Sequence, residues 1–100
     1  MAINKAIHDV SHLREPLRKL KILHYHTNIL NSILAFMVRK NMTSIDAYSK
    51  IWGEYIEYYV KCQEYKNFIT INYLFPEFGQ FNGPWEIDFG KEEIYIYEKV

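Results

Sequence analysis

The chain has 100 residues, 49% of them hydrophobic and 24% charged, which excludes a disordered or fibrous protein and predicts one domain spanning residues 1–100. Twelve Lys and Arg balance twelve Asp and Glu, so no net field draws the protein to nucleic acid or to an anionic membrane.

Cys62 is the only cysteine, which excludes an internal disulfide. Residues 1–10 lack a secretory-signal pattern, and the most apolar stretch, 29–38, is too short to span a membrane. We therefore expect a cytoplasmic protein.

A short helix is predicted near the N-terminus, with a long helix after it. Ile3, Ile7 and Val10 recur at helical spacing, which places the short helix at 3–10. The long helix extends to Lys40, and at about 100° per residue it carries two apolar stripes on roughly opposite sides. The first stripe comprises Leu13, Leu17, Leu20, His24, Thr27 and Leu34, and the second comprises Ile22, Tyr25, Ile29, Ile33 and Phe36. A helix that is apolar on two sides must be covered twice, either within its own chain or by another subunit.

A second long helix is predicted after Thr43, which can cap its N-terminus. Its solvent face alternates in charge and comprises Asp46, Lys50, Glu54, Glu57, Lys61 and Glu64. Almost all of its other positions are apolar or aromatic, and Cys62 lies among them, where burial makes a thiol inert. The helices make up the helical part of the domain, residues 1–66.

The β part, residues 67–100, is predicted to be a three-stranded meander. Residues 68–74 are rich in β-branched and aromatic side chains and favour a strand, although a continued second helix is the alternative. Apolar and acidic residues alternate from Trp85 onward, and a turn at Gly90-Lys91 pairs this strand with the last one. The predicted fold class is therefore α+β. It has a short N-terminal helix, two long antiparallel amphipathic helices and a C-terminal three-stranded antiparallel β-meander.

An acidic face is predicted on the C-terminal hairpin, formed by Glu86, Asp88 and Glu93. The turn sets a register with Trp85 opposite Ile96 and Asp88 opposite Glu93. Like charges directly opposite each other destabilise a sheet. We expect a neighbouring Lys to compensate, and the alternative is a basic partner or a cation bound at this face.

His8 and His12 are candidate metal ligands, because residues four apart on one helix point the same way. Two ligands do not complete a site, so we expect exposed histidines and no cofactor, with metal binding as the alternative. No glycine-rich phosphate loop and no nucleophile elbow is present, which argues against an enzyme.

Residues 10–17, V-S-H-L-R-E-P-L, resemble the phosphoacceptor box of sensor histidine kinases, usually V-S-H-E-L-R-T-P-L, but lack the acidic residue after the histidine. His24, with Asn28 and Leu30, similarly resembles the H-x-x-x-N-x-L pattern of a phosphotransferase relative of those kinases, without its usual Asp. In that family the box lies on the first helix of a hairpin whose dimer makes a four-helix bundle. The resemblance implies histidine phosphotransfer at His12 or His24.

The aromatic content favours a binding protein. Nine Tyr, six Phe and two Trp exceed what a domain of this size readily buries, and Tyr and Trp are enriched at protein interfaces. The candidate interface comprises Tyr25, Ile29 and Phe36 on the first long helix and Ile51, Tyr58 and Tyr65 on the second. The favoured hypothesis is a non-enzymatic protein-binding module, a homodimer of the kind represented by small phage, immunity or regulatory inhibitors and adaptors.

Two alternatives stay open. One is a metal-binding or histidine phosphotransfer protein that uses His8, His12 or His24. The other is a small-ligand-binding domain with a pocket lined by Trp52, Tyr55 and Trp85.

Overall fold

The computed structural model describes residues 3–99. In chain order the elements are strand β1 (Ile3–Asp9), a 3-10 turn (Ser11–Leu13), helix α1 (Arg14–Arg39), helix α2 (Asp46–Ile69), a π-helical turn (Thr70–Leu74), the short helix α3 (Phe75–Phe78), strand β2 (Trp85–Asp88) and strand β3 (Glu93–Lys99). The predicted α+β class, the two long helices and a three-stranded antiparallel sheet are confirmed. No helix in this part of the chain is both long enough and apolar enough to cross a membrane.

The sheet has β3 at its centre, in the order β1-β3-β2. The predicted register of the C-terminal hairpin is confirmed, with Trp85 opposite Ile96 and Asp88 opposite Glu93. The turn is longer than predicted, because β2 ends at Asp88 and β3 begins at Glu93. Turn chemistry and hydrophobic alternation are both local signals, and here they specify the same pairing.

The predicted N-terminal helix at 3–10 is wrong, because residues 3–9 form β1 and only Ser11–Leu13 turns helically. A spacing of four residues puts two side chains on one side of a strand as well as of a helix, so this spacing in the sequence does not distinguish the two. Pairing with β3 favours the strand, since it satisfies backbone groups along the second edge of β3. The third strand of the sheet therefore comes from the N-terminus, so the sheet is not a C-terminal meander.

Residues 68–74 continue the second helix and do not form the predicted strand. α2 extends to Ile69, and Thr70–Leu74 form a wider π turn. Ile69 and Leu74, both 0% exposed, are five residues apart, which is the span of the i→i+5 hydrogen bond of a π turn, whereas an odd spacing in a strand would put them on opposite faces. The turn also lies immediately before Pro76, whose ring would collide with the carbonyl of Asn72 in a regular α-helix.

The described residues form two compact units. The first unit comprises the chain up to Arg18 and from Phe68 onward, and its core joins residues of the sheet to the ends of the helices. Its buried apolar residues are Val10, Leu13, Leu17, Ile69, Leu74, Trp85, Ile94 and Ile96. The second unit, Lys19–Asn67, is a hairpin of α1 and α2 that buries Leu20, Thr27, Leu34, Met37 and Cys62.

The helical hairpin of the second unit is antiparallel. The Lys19 Nζ atom lies 4.9 Å from the ring centroid of Tyr65, near the end of α2. Further along α1, His26 stacks on Tyr58, with ring centroids 4.9 Å apart and planes 9° from parallel. Later residues of α1 therefore meet earlier residues of α2. The hairpin turns at Asn41, whose left-handed backbone (φ 57°) ends α1.

Candidate protein-binding surface

A row of exposed apolar side chains follows the outer side of α1, and we call it the α1 outer stripe. The first predicted stripe is mostly buried, with Leu20 1% exposed and Leu34 5%. The second predicted stripe is not covered. Its exposed fractions are 52% for Ile22, 66% for Tyr25, 40% for Ile29, 39% for Ile33 and 48% for Phe36. Successive members are three or four residues apart, so all five lie on one side of the helix.

The α1 outer stripe contains a shallow depression of about 380 Å³. Its lining residues are Tyr25, Asn28, Ile29, Ser32, Ile33 and Phe36. The shorter polar side chains of Asn28 and Ser32 line it beside the larger apolar ones. A concave, mainly apolar surface of this kind can receive side chains from a second protein.

The α1 outer stripe is free of charged side chains and is bordered by basic ones. Residues 22–38 contain no Asp, Glu, Lys or Arg. Lys21 precedes this segment, and Arg39 and Lys40 follow it. An interface along the segment would therefore bury no formal charge, which removes the largest desolvation cost of association.

The other predicted interface residues lie on the side of α2 that meets α1. Ile51, Tyr58 and Tyr65 are half-buried. Tyr58 contacts His26 and Tyr65 contacts Lys19 through their rings, as described above for the hairpin. The structure thus brings Tyr25, Ile29 and Phe36 together on one helix. It places Tyr58 and Tyr65 in the seam between the two helices.

A second exposed surface lies on α2, and the sequence analysis did not single it out. Its most exposed members are Trp52 (39%), Ile56 (54%), Tyr59 (48%) and Val60 (44%), and we call them the α2 surface. Ring contacts run along this helix, from Trp52 to Tyr55 at 5.5 Å and from Tyr55 to Tyr59 at 6.1 Å between centroids. The signal that could have identified it is the spacing of Trp52, Ile56 and Tyr59, which repeats at helical period beside the charged stripe.

The residues of the predicted acidic face, Glu86, Asp88 and Glu93, form hydrogen bonds or close contacts within the β2–β3 hairpin. Asp88 Oδ1 accepts the backbone N–H groups of Gly90 at 2.9 Å and Lys91 at 3.0 Å, which caps the turn. Glu86 accepts a hydrogen bond from the Tyr97 hydroxyl at 3.3 Å. Burial, and then the nearby Glu86 carboxylate, raise the pKa of Tyr97. Glu93 lies 3.5 Å from the Tyr95 hydroxyl, at the limit of a hydrogen bond.

The histidines have separate environments. His8 lies on β1 and stacks on Phe78 at 4.2 Å between centroids, so the helical spacing assumed for His8 and His12 does not exist. His12 Nε2 lies 2.6 Å from Oε1 and 2.7 Å from Oε2 of Glu77. Between residues 3 and 99, no three His, Cys, Asp or Glu side chains are grouped as metal ligands would be.

The segment that resembles the phosphoacceptor box is not a continuous helix. Ser11–Leu13 form the 3-10 turn, and α1 begins at Arg14. The Asp9 carboxylate caps this turn by accepting the Ser11 backbone N–H at 2.8 Å, and this hydrogen bond lowers the pKa of Asp9. His24 is an exposed residue within α1.

The residues of the predicted ligand pocket are divided between the two units. Trp52 and Tyr55 contact each other on α2. Trp85 is 4% exposed in the first unit, and its indole N–H donates a 2.8 Å hydrogen bond to Thr70 Oγ1. Cys62 is buried as predicted, and burial raises the pKa of its thiol. A neutral, buried thiol is a poor nucleophile.

Comparison with known proteins gives no relationship from which a function could be transferred. No family model matches the chain, and no curated protein or solved structure is significantly similar to it. The functional interpretation therefore depends on the surfaces described above.

Proposed function

We propose that the protein is a non-enzymatic protein-binding module that works as a homodimer. It serves as an inhibitor or adaptor of bacterial or phage origin. The observation that supports this most directly is the α1 outer stripe, an uncharged apolar row left uncovered on a long helix. A helix with two apolar sides exposes one of them to water unless a second element or subunit covers it. The described residues cover one of them.

The size of the α1 outer stripe supports binding. The exposed area of its five side chains is about 500 Å², taking about 200 Å² for one fully exposed large side chain. The largest apolar patch on a soluble monomer is about 300–600 Å² and is often functional, and the α1 outer stripe falls in this range. Two copies that cover each other here would bury about 1,000 Å² in total from these side chains alone, the threshold for a specific interface.

The α2 surface supports the inhibitor or adaptor part of the proposal. It lies on α2, so a dimer formed through the α1 outer stripe leaves it free to bind another protein. Trp52 and Tyr59 are of the residue types that contribute most binding energy at protein interfaces, and their ring contacts limit the entropy lost on binding.

Size-exclusion chromatography with light scattering tests the proposal. The wild-type protein should elute at twice the chain mass of 12.1 kDa. Ile29→Glu places a charge at the centre of the α1 outer stripe and should give a monomer with unchanged helical circular dichroism. Ile56→Glu introduces the same charge at a somewhat more exposed position on α2, 54% against 40% for Ile29, and should leave the dimer intact. A wild-type protein that remains at 12.1 kDa at high concentration contradicts the proposal.

A further inference from the structure

The α1 outer stripe has the same spacing in both chain directions. From Ile22 through Tyr25, Ile29 and Ile33 to Phe36, the intervals are three, four, four and three residues. Ile29 is the centre of this sequence. A two-fold axis that passes beside Ile29, perpendicular to α1, therefore places each position of the stripe in one copy opposite a position of the stripe in the other. A closed dimer of one chain uses the same surface on both subunits, and this spacing allows the whole stripe of one copy to face the whole stripe of the other.

We propose that two copies pack through α1 in antiparallel orientation, with their Ile29 side chains in contact on the two-fold axis. This inference rests on the proposed function, because it assumes that the α1 outer stripe is covered by a second copy. In this register Tyr25 lies against Ile33 of the partner subunit. Ile22 likewise lies against Phe36 of the partner subunit.

The side-chain sizes fit the antiparallel register. Each aromatic residue of the stripe, Tyr25 or Phe36, faces an isoleucine, so no two large rings compete for the same space. A parallel arrangement would oppose Tyr25 to Tyr25 and Phe36 to Phe36, leaving the isoleucines to face one another. Alternating large and small partners fill an interface between helices more evenly.

Charge does not distinguish the antiparallel from the parallel orientation. The formal net charge of the chain is zero, so two copies meet without net repulsion. Residues 22–38 carry no formal charge to be buried. In the antiparallel register Arg18 lies opposite Lys40 of the partner subunit, and in a parallel one each lies opposite its own copy, so like charges meet at the ends of the contact in both, where solvent and salt screen them.

Disulfide cross-linking of the full chain distinguishes the two orientations. Cys62 is first replaced by Ala, so that each variant carries one thiol. Tyr25→Cys and Ile33→Cys are then oxidised separately and as an equimolar mixture. In the antiparallel register two Tyr25 positions are about 12 Å apart along the helix, too far for a disulfide, whereas positions 25 and 33 are adjacent. The mixture should therefore shift from 12.1 kDa to twice that mass on a non-reducing gel, and neither variant alone should do so.

Two control variants, together with the oligomeric state measured by light scattering, show what the cross-linking result means. Ile29→Cys should cross-link with itself, because the axis passes through that position. Tyr25→Cys mixed with Ile56→Cys should give no product, since Ile56 belongs to the α2 surface. Self-cross-linking of Tyr25→Cys, or no product from the mixture while the wild type is dimeric, overturns the antiparallel register but not the proposed function. A monomeric wild type overturns both.

Discussion

At the residue scale, two glycines in different surroundings show how much a single methyl group can matter. A Cβ atom at Gly83 would overlap the backbone carbonyl of Tyr97. The close approach arises because the neighbouring Pro84 carbonyl accepts the Tyr97 backbone N–H at 3.0 Å, which holds the two segments together. A Cβ atom at Gly53 would have no heavy atom within 4 Å. The mid-helix glycine is therefore not explained by a close contact.

We predict opposite effects for alanine at these two positions. Gly83→Ala must displace backbone and should lower the free energy of unfolding by about 3 kcal/mol or more. Gly53→Ala should raise the free energy of unfolding by about 0.5–1 kcal/mol, because alanine loses less backbone entropy in a helix. Urea unfolding of the two variants measures both changes. A neutral Gly83→Ala would mean that the segment does not lie against Tyr97.

At the element scale, local patterns predict some elements and long-range contacts decide others. The β2–β3 hairpin could be predicted because its turn and its alternation are a few residues apart, and the two long helices because their periodicity persists over many turns. Residues 3–9 could not be assigned from periodicity. They become a strand through pairing with β3, near the other end of the chain, and no short window of sequence contains that information.

The candidate surface likewise has features that a local pattern predicts and features that long-range contacts decide. The placement of Tyr25, Ile29 and Phe36 on the side of α1 opposite its buried stripe follows from α1 alone, because it depends only on the helical period. The environment of Tyr58 depends on which residue of α1 comes opposite it, and that residue is His26. Such a pairing is set by the helix–helix register, which the sequence of α2 does not contain.

The π turn provides a prediction at the element scale. Ile69 and Leu74 are 0% exposed and Ile71 is 62% exposed, a pattern that a strand over 68–74 cannot produce because positions 69 and 74 would face opposite sides. Ile69→Ala and Leu74→Ala should each lower the free energy of unfolding by about 2–5 kcal/mol, whereas Ile71→Ala should change it by less than about 0.5 kcal/mol. Thermal or urea unfolding of the three variants gives the comparison. Large losses at Ile71 and at only one of the other two positions would favour the strand.

At the scale of the whole molecule, the two compact units are joined in a way that should make them unfold together. The sequence predicts a single domain, and a chain of this length has room for only one core of ordinary size. The chain also crosses between the units twice within continuous helix, at Arg18 to Lys19 in α1 and at Asn67 to Phe68 in α2. Helix formation is cooperative, so loss of one unit should propagate through these crossings into the other.

We therefore predict one unfolding transition for the whole chain. Trp52→Phe leaves the buried Trp85 of the first unit as the only tryptophan, while far-UV circular dichroism is dominated by α1 and α2. In urea the Trp85 emission and the circular dichroism of this variant should change with the same midpoint and the same slope. Because Trp52 is 39% exposed and Phe preserves much of its apolar area, the substitution should leave the midpoint close to that of the wild type. Separate midpoints would show that the two units are independent domains, with the sheet and the hairpin folding on their own.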